Sequence, residues 1–393
     1  MRSMNRRGSG ITRASILVTL GCAGALGIGS LSGGQTGDRA FEPVTGTWIL
    51  SGMTYMGDAS CSSAACHGSD EAKMQSGQMI GDESVIWSSS GHDGDPHAKA
   101  WKTLKSAESK AIAAKLNIAD AQTSDQCLSC HALNAPAAQR GAKFDIETGN
   151  SCETCHGRAE RWLQPHAKEG WTSAQRKASG SAGLMKDHGL LDTSDIALRA
   201  ELCVSCHLQI DKSMLDAGHP ALQFEMYGYN NYFYDGQFTR HWDEPQGRMV
   251  MARQWAVGQA AALDASARQA QAWKSNGWDT ASAQTLVDLY TAGLAIARKH
   301  FGADSPKGLA AASYTPEKCA AAAKELAELG AGATSKLERK VIAFGVMALS
   351  EASFDGRNEE APEALWEAFD VASKGGDGAA YTDALKKMAS LAK

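Results

Sequence analysis

The chain is short of basic charge. Its 393 residues hold 39 Lys and Arg against 44 Asp and Glu. Residues 1–32 carry four of the basic groups and no acid, which leaves 35 against 44 and a net charge of −9 for the remainder. A surface of that sign excludes nucleic acid as a partner. Charged residues make up only 21% and hydrophobic residues 43%, which excludes a disordered chain and fits a globular one. No periodic repeat marks a solenoid. No acid–base pair or tyrosine cross-link signature marks a catalytic centre. Histidine is scarce, at 11 residues, so its placement carries information.

The first segment reads differently from the rest. Arg2, Arg6, Arg7 and Arg13 make a basic start, followed by the apolar stretch Ile16 to Leu31, small residues, and the first acid at Asp38. That order is a secretory signal over residues 1–32, with a linker over 33–57. An uncleaved anchor is the alternative, through which the protein would associate with a membrane. Cys22 follows Gly21, but Leu17-Val18-Thr19-Leu20 fits a lipidation signal poorly. The expected location is periplasmic or otherwise extracytoplasmic.

Eight of the ten cysteines form four pairs, each followed at once by histidine. They are Cys61-Ser-Ser-Ala-Ala-Cys66-His67, Cys127-Leu-Ser-Cys130-His131, Cys152-Glu-Thr-Cys155-His156 and Cys203-Val-Ser-Cys206-His207. A Cys-x-x-Cys-His unit reads as covalent attachment of haem c. Two thiols one helical turn apart can add to the two vinyl groups on one haem edge. The next residue then turns its imidazole under the iron. In the first unit four residues loop out between the cysteines. Disulfides or zinc would also use paired cysteines, but neither needs histidine after every second one. At this histidine content, four such placements by chance have a probability on the order of 10⁻⁶. The expectation is four haems c, held by these eight cysteines with His67, His131, His156 and His207 as proximal ligands.

Axial ligation is the main lever on haem potential and reactivity. Four of the remaining histidines are candidate distal ligands. His97 and His166 share the phrase Pro-His-Ala-Lys, as Pro96-His97-Ala98-Lys99 and Pro165-His166-Ala167-Lys168, each with a tryptophan shortly after, Trp101 and Trp171. Proline can open a helix at its first position, which would fix the direction of the next side chain. These two are expected to serve haems other than those of the motifs flanking them. His219 sits in Gly218-His219-Pro220, a fixed bend. His241 precedes Trp242 at the end of an aromatic run that includes Phe224, Tyr227 and Tyr229. Such a run is commonly core, and haem faces also need apolar cover. His92, His188 and His300 are left outside the ligand set. The methionines fall at helical-core spacing and none is assigned to iron.

With these residues in place, the chain resembles the tetrahaem cytochrome c-554 family. The resemblance rests on the first motif, His97-Ala98-Lys99-Ala100, Cys127-x-x-Cys130-His131, Gly149-Asn150-Ser151-Cys152-Glu153-Thr154-Cys155-His156-Gly157, His166 and Cys203-x-x-Cys206-His207, over roughly residues 58–245. Relatives share their haem packing with hydroxylamine oxidoreductase and pentahaem nitrite reductases. The resemblance implies a mainly helical domain with closely stacked haems. It also implies that the haem at His131 lacks a distal protein ligand, although this chain has spare histidines to fill that place. Three departures stand out: the longer first motif, the segment from Gly218-His219-Pro220 to Arg240-His241-Trp242, and an additional C-terminal third.

That third, residues 247–393, holds no haem motif and reads as five or six helices in a bundle. Thr315-Pro316-Glu317 is a cap, Gly330 closes that helix, and Asp279 and Gly302 bracket another. Leu337, Val341, Phe344 and Ala348 share a helical face. Cys319 has no histidine after it and reads as a small buried residue on a helix. The expected fold is mainly α: a tetrahaem cytochrome c domain over 58–246 with little regular sheet, then the helical bundle. The expected function is electron transfer between redox partner proteins through mostly bis-histidine haems. The alternatives are an enzyme acting on a small nitrogen or sulfur compound at one open iron, and a haem subunit of a larger redox complex.

Overall fold

The computed structural model describes residues 39–42, 47–50, 53–69, 73–75, 78–88, 95–167, 188–231, 247–354, 361–374, 376 and 378–393. The N-terminal apolar stretch, Cys22, His92, Trp171 and His241 lie outside them. Among the described residues no helix is long and apolar enough to cross a membrane. Residues 38–393 form one compact unit.

The mainly helical expectation is met, and the regular sheet among the described residues is two small antiparallel hairpins. One pairs β1 (Arg39–Glu42) with β2 (Thr47–Leu50), the other β3 (Lys73–Gln75) with β4 (Gln78–Ile80). Short helices then follow one another: α1 (Glu83–Ser88), α2 (Pro96–Thr103), α3 (Ala107–Lys115), α4 (Asp125–His131), α5 (Cys152–His156), α6 (Leu163–His166), α7 (Ile196–His207), α8 (Lys212–Ala217) and α9 (Met226–Asn231). They bury little apolar surface among themselves, in clusters as small as Tyr55, Leu133 and Ala135. Polar ties hold this half instead. The clearest is Glu153, between the cysteines of the third motif. It is buried, and its carboxylate accepts the backbone N–H groups of Met56 at 2.9 Å, Gly57 at 2.7 Å and Ala159 at 2.7 Å. One side chain thereby satisfies three donors and fastens the segment before the first motif to the third.

The C-terminal part has seven described helices: α10 (Met249–Ser275), α11 (Ala281–Phe301), α12 (Pro306–Ala310), α13 (Pro316–Gly330), α14 (Lys336–Ala352), α15 (Glu363–Ser373) and α16 (Gly378–Leu391). The five-residue α12 makes the count one more than the sequence suggested. Two of the expected caps are made, while α11 starts after Thr280 and not directly after Asp279. The Thr315 hydroxyl accepts from Lys318 N–H, and left-handed Gly302 ends α11. Cys319 is fully buried on α13 beside Met249. The long α10 is lined with buried alanines, Ala252, Ala256, Ala260, Ala261, Ala262 and Ala265, so neighbouring helices approach closely. At its crossing with α14 a Cβ on Gly345 would sit 2.5 Å from the Trp255 indole nitrogen, so only glycine fits.

The bundle's core continues into the haem-motif half. Ile196, Ala197, Ala200, Val204 and Leu208, on and just after α7, pack in the same apolar cluster as Trp255, Ala256 and Ala260. Polar bonds reinforce the join. Gln269 Oε1 accepts from Ile210 N–H at 2.7 Å, Trp273 Nε1 donates to Ile210 O at 2.9 Å, and Gln209 Nε2 donates to Ala265 O at 2.7 Å. The helix carrying the fourth motif is therefore backed along its length by α10.

Candidate haem-binding site

Three motifs are built alike. The helices α4, α5 and α7 each end on the motif's histidine, with both cysteines in the final turns. The sulfurs thus lie one turn apart and the imidazole leaves the helix end. The first motif is different. Turns replace the helix, and the bonds of Cys66 N–H to Ser63 O at 2.8 Å and His67 N–H to Cys61 O at 3.1 Å close up the two additional residues.

The four pairs converge. The Cys61 and Cys152 thiols are neighbours, and so are those of Cys130 and Cys206. Cys155 and Cys203 are electrostatic neighbours. Burial pushes the Cys155 thiol up to about 12 and the Cys203 thiol to about 11, while the neighbouring Cys206 thiol draws Cys130 below its ordinary value. The motifs therefore adjoin in the order first, third, fourth, second.

The histidines pair across long stretches of chain. His67 and His166 have ring centroids 6.2 Å apart and planes within 3° of parallel. His97 and His207 stand 6.1 Å apart at 86°, and His131 and His219 stand 6.3 Å apart at 75°. A metal–imidazole bond is about 2 Å long and the ring centre lies about 1 Å behind the nitrogen, so imidazoles on opposite faces of one iron have centroids about 6 Å apart. The three separations fit that geometry. His219 stands opposite His131, the position that the family resemblance leaves open.

Local structure fixes each ring. Asp95 caps α2, and its Oδ1 accepts both the backbone N–H of His97 at 2.8 Å and the Nδ1–H of its ring at 2.9 Å. Gly149, at φ 72°, lets the chain pass against α2, where a Cβ would lie 2.4 Å from His97 O. Left-handed Gly218 ends α8 and turns His219 out, while Lys115 Nζ holds Ala217 O at 2.9 Å. Like His97, every other described candidate except His207 has its Nδ1 engaged: His67 with Glu83 at 2.9 Å, His131 with Ala100 O at 3.0 Å, His156 with Leu191 O at 3.4 Å, His166 with Leu163 O at 2.6 Å and His219 with Pro220 O at 2.9 Å. His207 is held instead by ring packing, against Tyr229 at 4.6 Å and Phe224 at 6.4 Å. An imidazole whose Nδ1–H is engaged presents Nε2 as a metal ligand. Burial lowers His207 to about 4 and draws His131 down as well, so both rings are neutral at pH 7, the form that ligates iron. The donor set thus fits haem: paired thiols for the ring edge and facing imidazoles for the metal.

His241, the remaining expected ligand, lies outside the described residues. Sequence reasoning missed Glu83, Glu153 and the double role of Asp95. Only Asp95 had a readable signal, as an acid directly before a helix-opening proline.

Residues 86–157 match the family model for cytochrome c554 and c-prime. That stretch contains His97 and the second and third motifs; the first and fourth motifs fall outside it. No curated protein and no solved structure matches the chain.

Proposed function

We propose that this c-type cytochrome of the cytochrome c554 family holds four haems c and passes electrons along them between redox partner proteins outside the cytoplasm. Haem c, when bound, supplies one-electron iron chemistry. Everything else is the chain's work. Cys61 and Cys66, Cys127 and Cys130, Cys152 and Cys155, and Cys203 and Cys206 each hold one haem edge. His67 with His166, His97 with His207, and His131 with His219 close both faces of three irons. His156 and His241 are assigned to the fourth. On this reading residues 58–246 are the haem domain, 247–393 its helical support, and 1–32 the export signal.

The observation that carries the reading is the facing of proximal and distal imidazoles at 6.1–6.3 Å in three separate pairs. Two fixed imidazoles leave iron little to rearrange when its charge changes, which suits a carrier. An enzyme needs an open iron, and His219 stands where the family resemblance would leave one. The adjoining cysteines support a path from the first motif through the third and fourth to the second.

Intact mass and ligand binding test this together. Four haem additions are expected on the mature chain, with at least three haems low-spin. Carbon monoxide added to the reduced protein should bind at one haem at most. Rapid binding at two or more would overturn the carrier reading.

A further inference from the structure

The six described candidate ligands with engaged Nδ1 atoms fall into two chemical classes. For His131, His156, His166 and His219 the partner is a backbone carbonyl. For His67 and His97 it is a carboxylate, Glu83 and Asp95, each at 2.9 Å. The contrast is sharpest within the repeated phrase. Pro96-His97 is preceded by Asp95, whereas Pro165-His166 is preceded by Gln164 and its ring turns back to Leu163 O. Both carboxylates are held in place. Glu83 Oε2 also accepts Gly81 N–H at 2.8 Å, and Ser84 N–H donates to His67 O at 2.8 Å, so helix α1 is bonded directly to the first motif. Asp95 is fixed as the cap of α2.

We propose that Glu83 and Asp95 are positioning residues that set the potentials of two irons, the one between His67 and His166 and the one between His97 and His207. The inference rests on the bis-histidine reading of those pairs. A carboxylate draws the Nδ1 proton toward itself and leaves Nε2 the stronger electron donor. A stronger donor favours ferric over ferrous iron, so both sites lie lower in potential than the same site with a neutral partner. A carbonyl, carrying no full charge, does this less. The chain thereby sets two sites apart from a third of the same ligand type without changing any ligand.

Glu83→Gln and Asp95→Asn keep shape and an acceptor oxygen but remove the charge, and asparagine still caps a helix. The experiment is a spectropotentiometric titration of full-length holoprotein, with haem count by intact mass and EPR of the oxidised form. Each variant should raise one potential and leave the others in place. EPR at successive potentials follows the affected site, because the parallel rings of His67 and His166 give a rhombic low-spin signal, whereas the crossed rings of His97 and His207, like those of His131 and His219, give a strongly axial one. Unchanged or lowered potentials, with haem content and low-spin signals intact, overturn the proposal and leave the carrier reading standing. Loss of haem in both variants shows that the carboxylates hold the site and do not tune it, which also overturns it. A wild-type protein without bis-histidine signals overturns both.

Discussion

At the residue scale the chain invests in orientation. An imidazole that coordinates through one nitrogen can still spin about that bond, and the partner on the other nitrogen stops it. The ring planes are accordingly distinct, at 3°, 86° and 75° in the three pairs. Ring orientation decides how far the iron d orbitals split, so in low-temperature EPR of the oxidised protein these three pairs should give one rhombic low-spin species and two strongly axial ones. Three alike spectra would contradict these geometries. Glu153 is the other residue with a disproportionate role. Its loss would strand three backbone donors, each costing about 1–3 kcal/mol when buried and unpaired. Glu153→Ala should therefore destabilise the holoprotein by at least about 3 kcal/mol, read as a lower denaturation midpoint, and expose the chain near Met56 and Gly57 to proteolysis.

At the element scale, short helices here are pedestals. The helices α4 and α5 are seven and five residues long, too short to be stable alone, and they persist by being tied at their ends. The bundle helices follow the opposite logic, with amphipathic faces and, in α12, α13 and α14, side-chain N-caps. In α14, Ser335 and Glu338 form a reciprocal capping box. Ser335→Ala should cost about 1 kcal/mol. Gly345→Ala should cost more, about 1–3 kcal/mol, because the new methyl meets the Trp255 indole and Leu326 at a crossing without slack. Thermal melts of the two variants give the comparison, and equal effects would contradict the packing argument.

At the scale of the whole molecule the bundle is a buttress for the fourth motif. The α7 face formed by Ile196, Ala200 and Val204 is buried against α10. Cutting the chain after residue 246 would expose that face and break the bonds from Gln269 and Trp273 to Ile210. Such a truncation should lose the fourth haem or fail to accumulate, as shown by intact mass and haem staining. A stable four-haem fragment would mean that α7 finds its own support.

Sequence alone carries the proposed covalent chemistry, because thioether attachment needs two thiols and an imidazole at fixed local spacing. It also determined the helical caps at Thr315 and Gly302 and the mainly α fold, since those signals act within a turn or two of chain. Tertiary structure decided what local spacing cannot reach. His67 meets His166 across 99 positions and His97 meets His207 across 110, and no periodicity relates such partners. It put His219 opposite His131 by anchoring the end of α8 to Lys115. It also chose a carboxylate for some rings and a carbonyl for others, because each Nδ1 must bond to whatever the fold brings beside it.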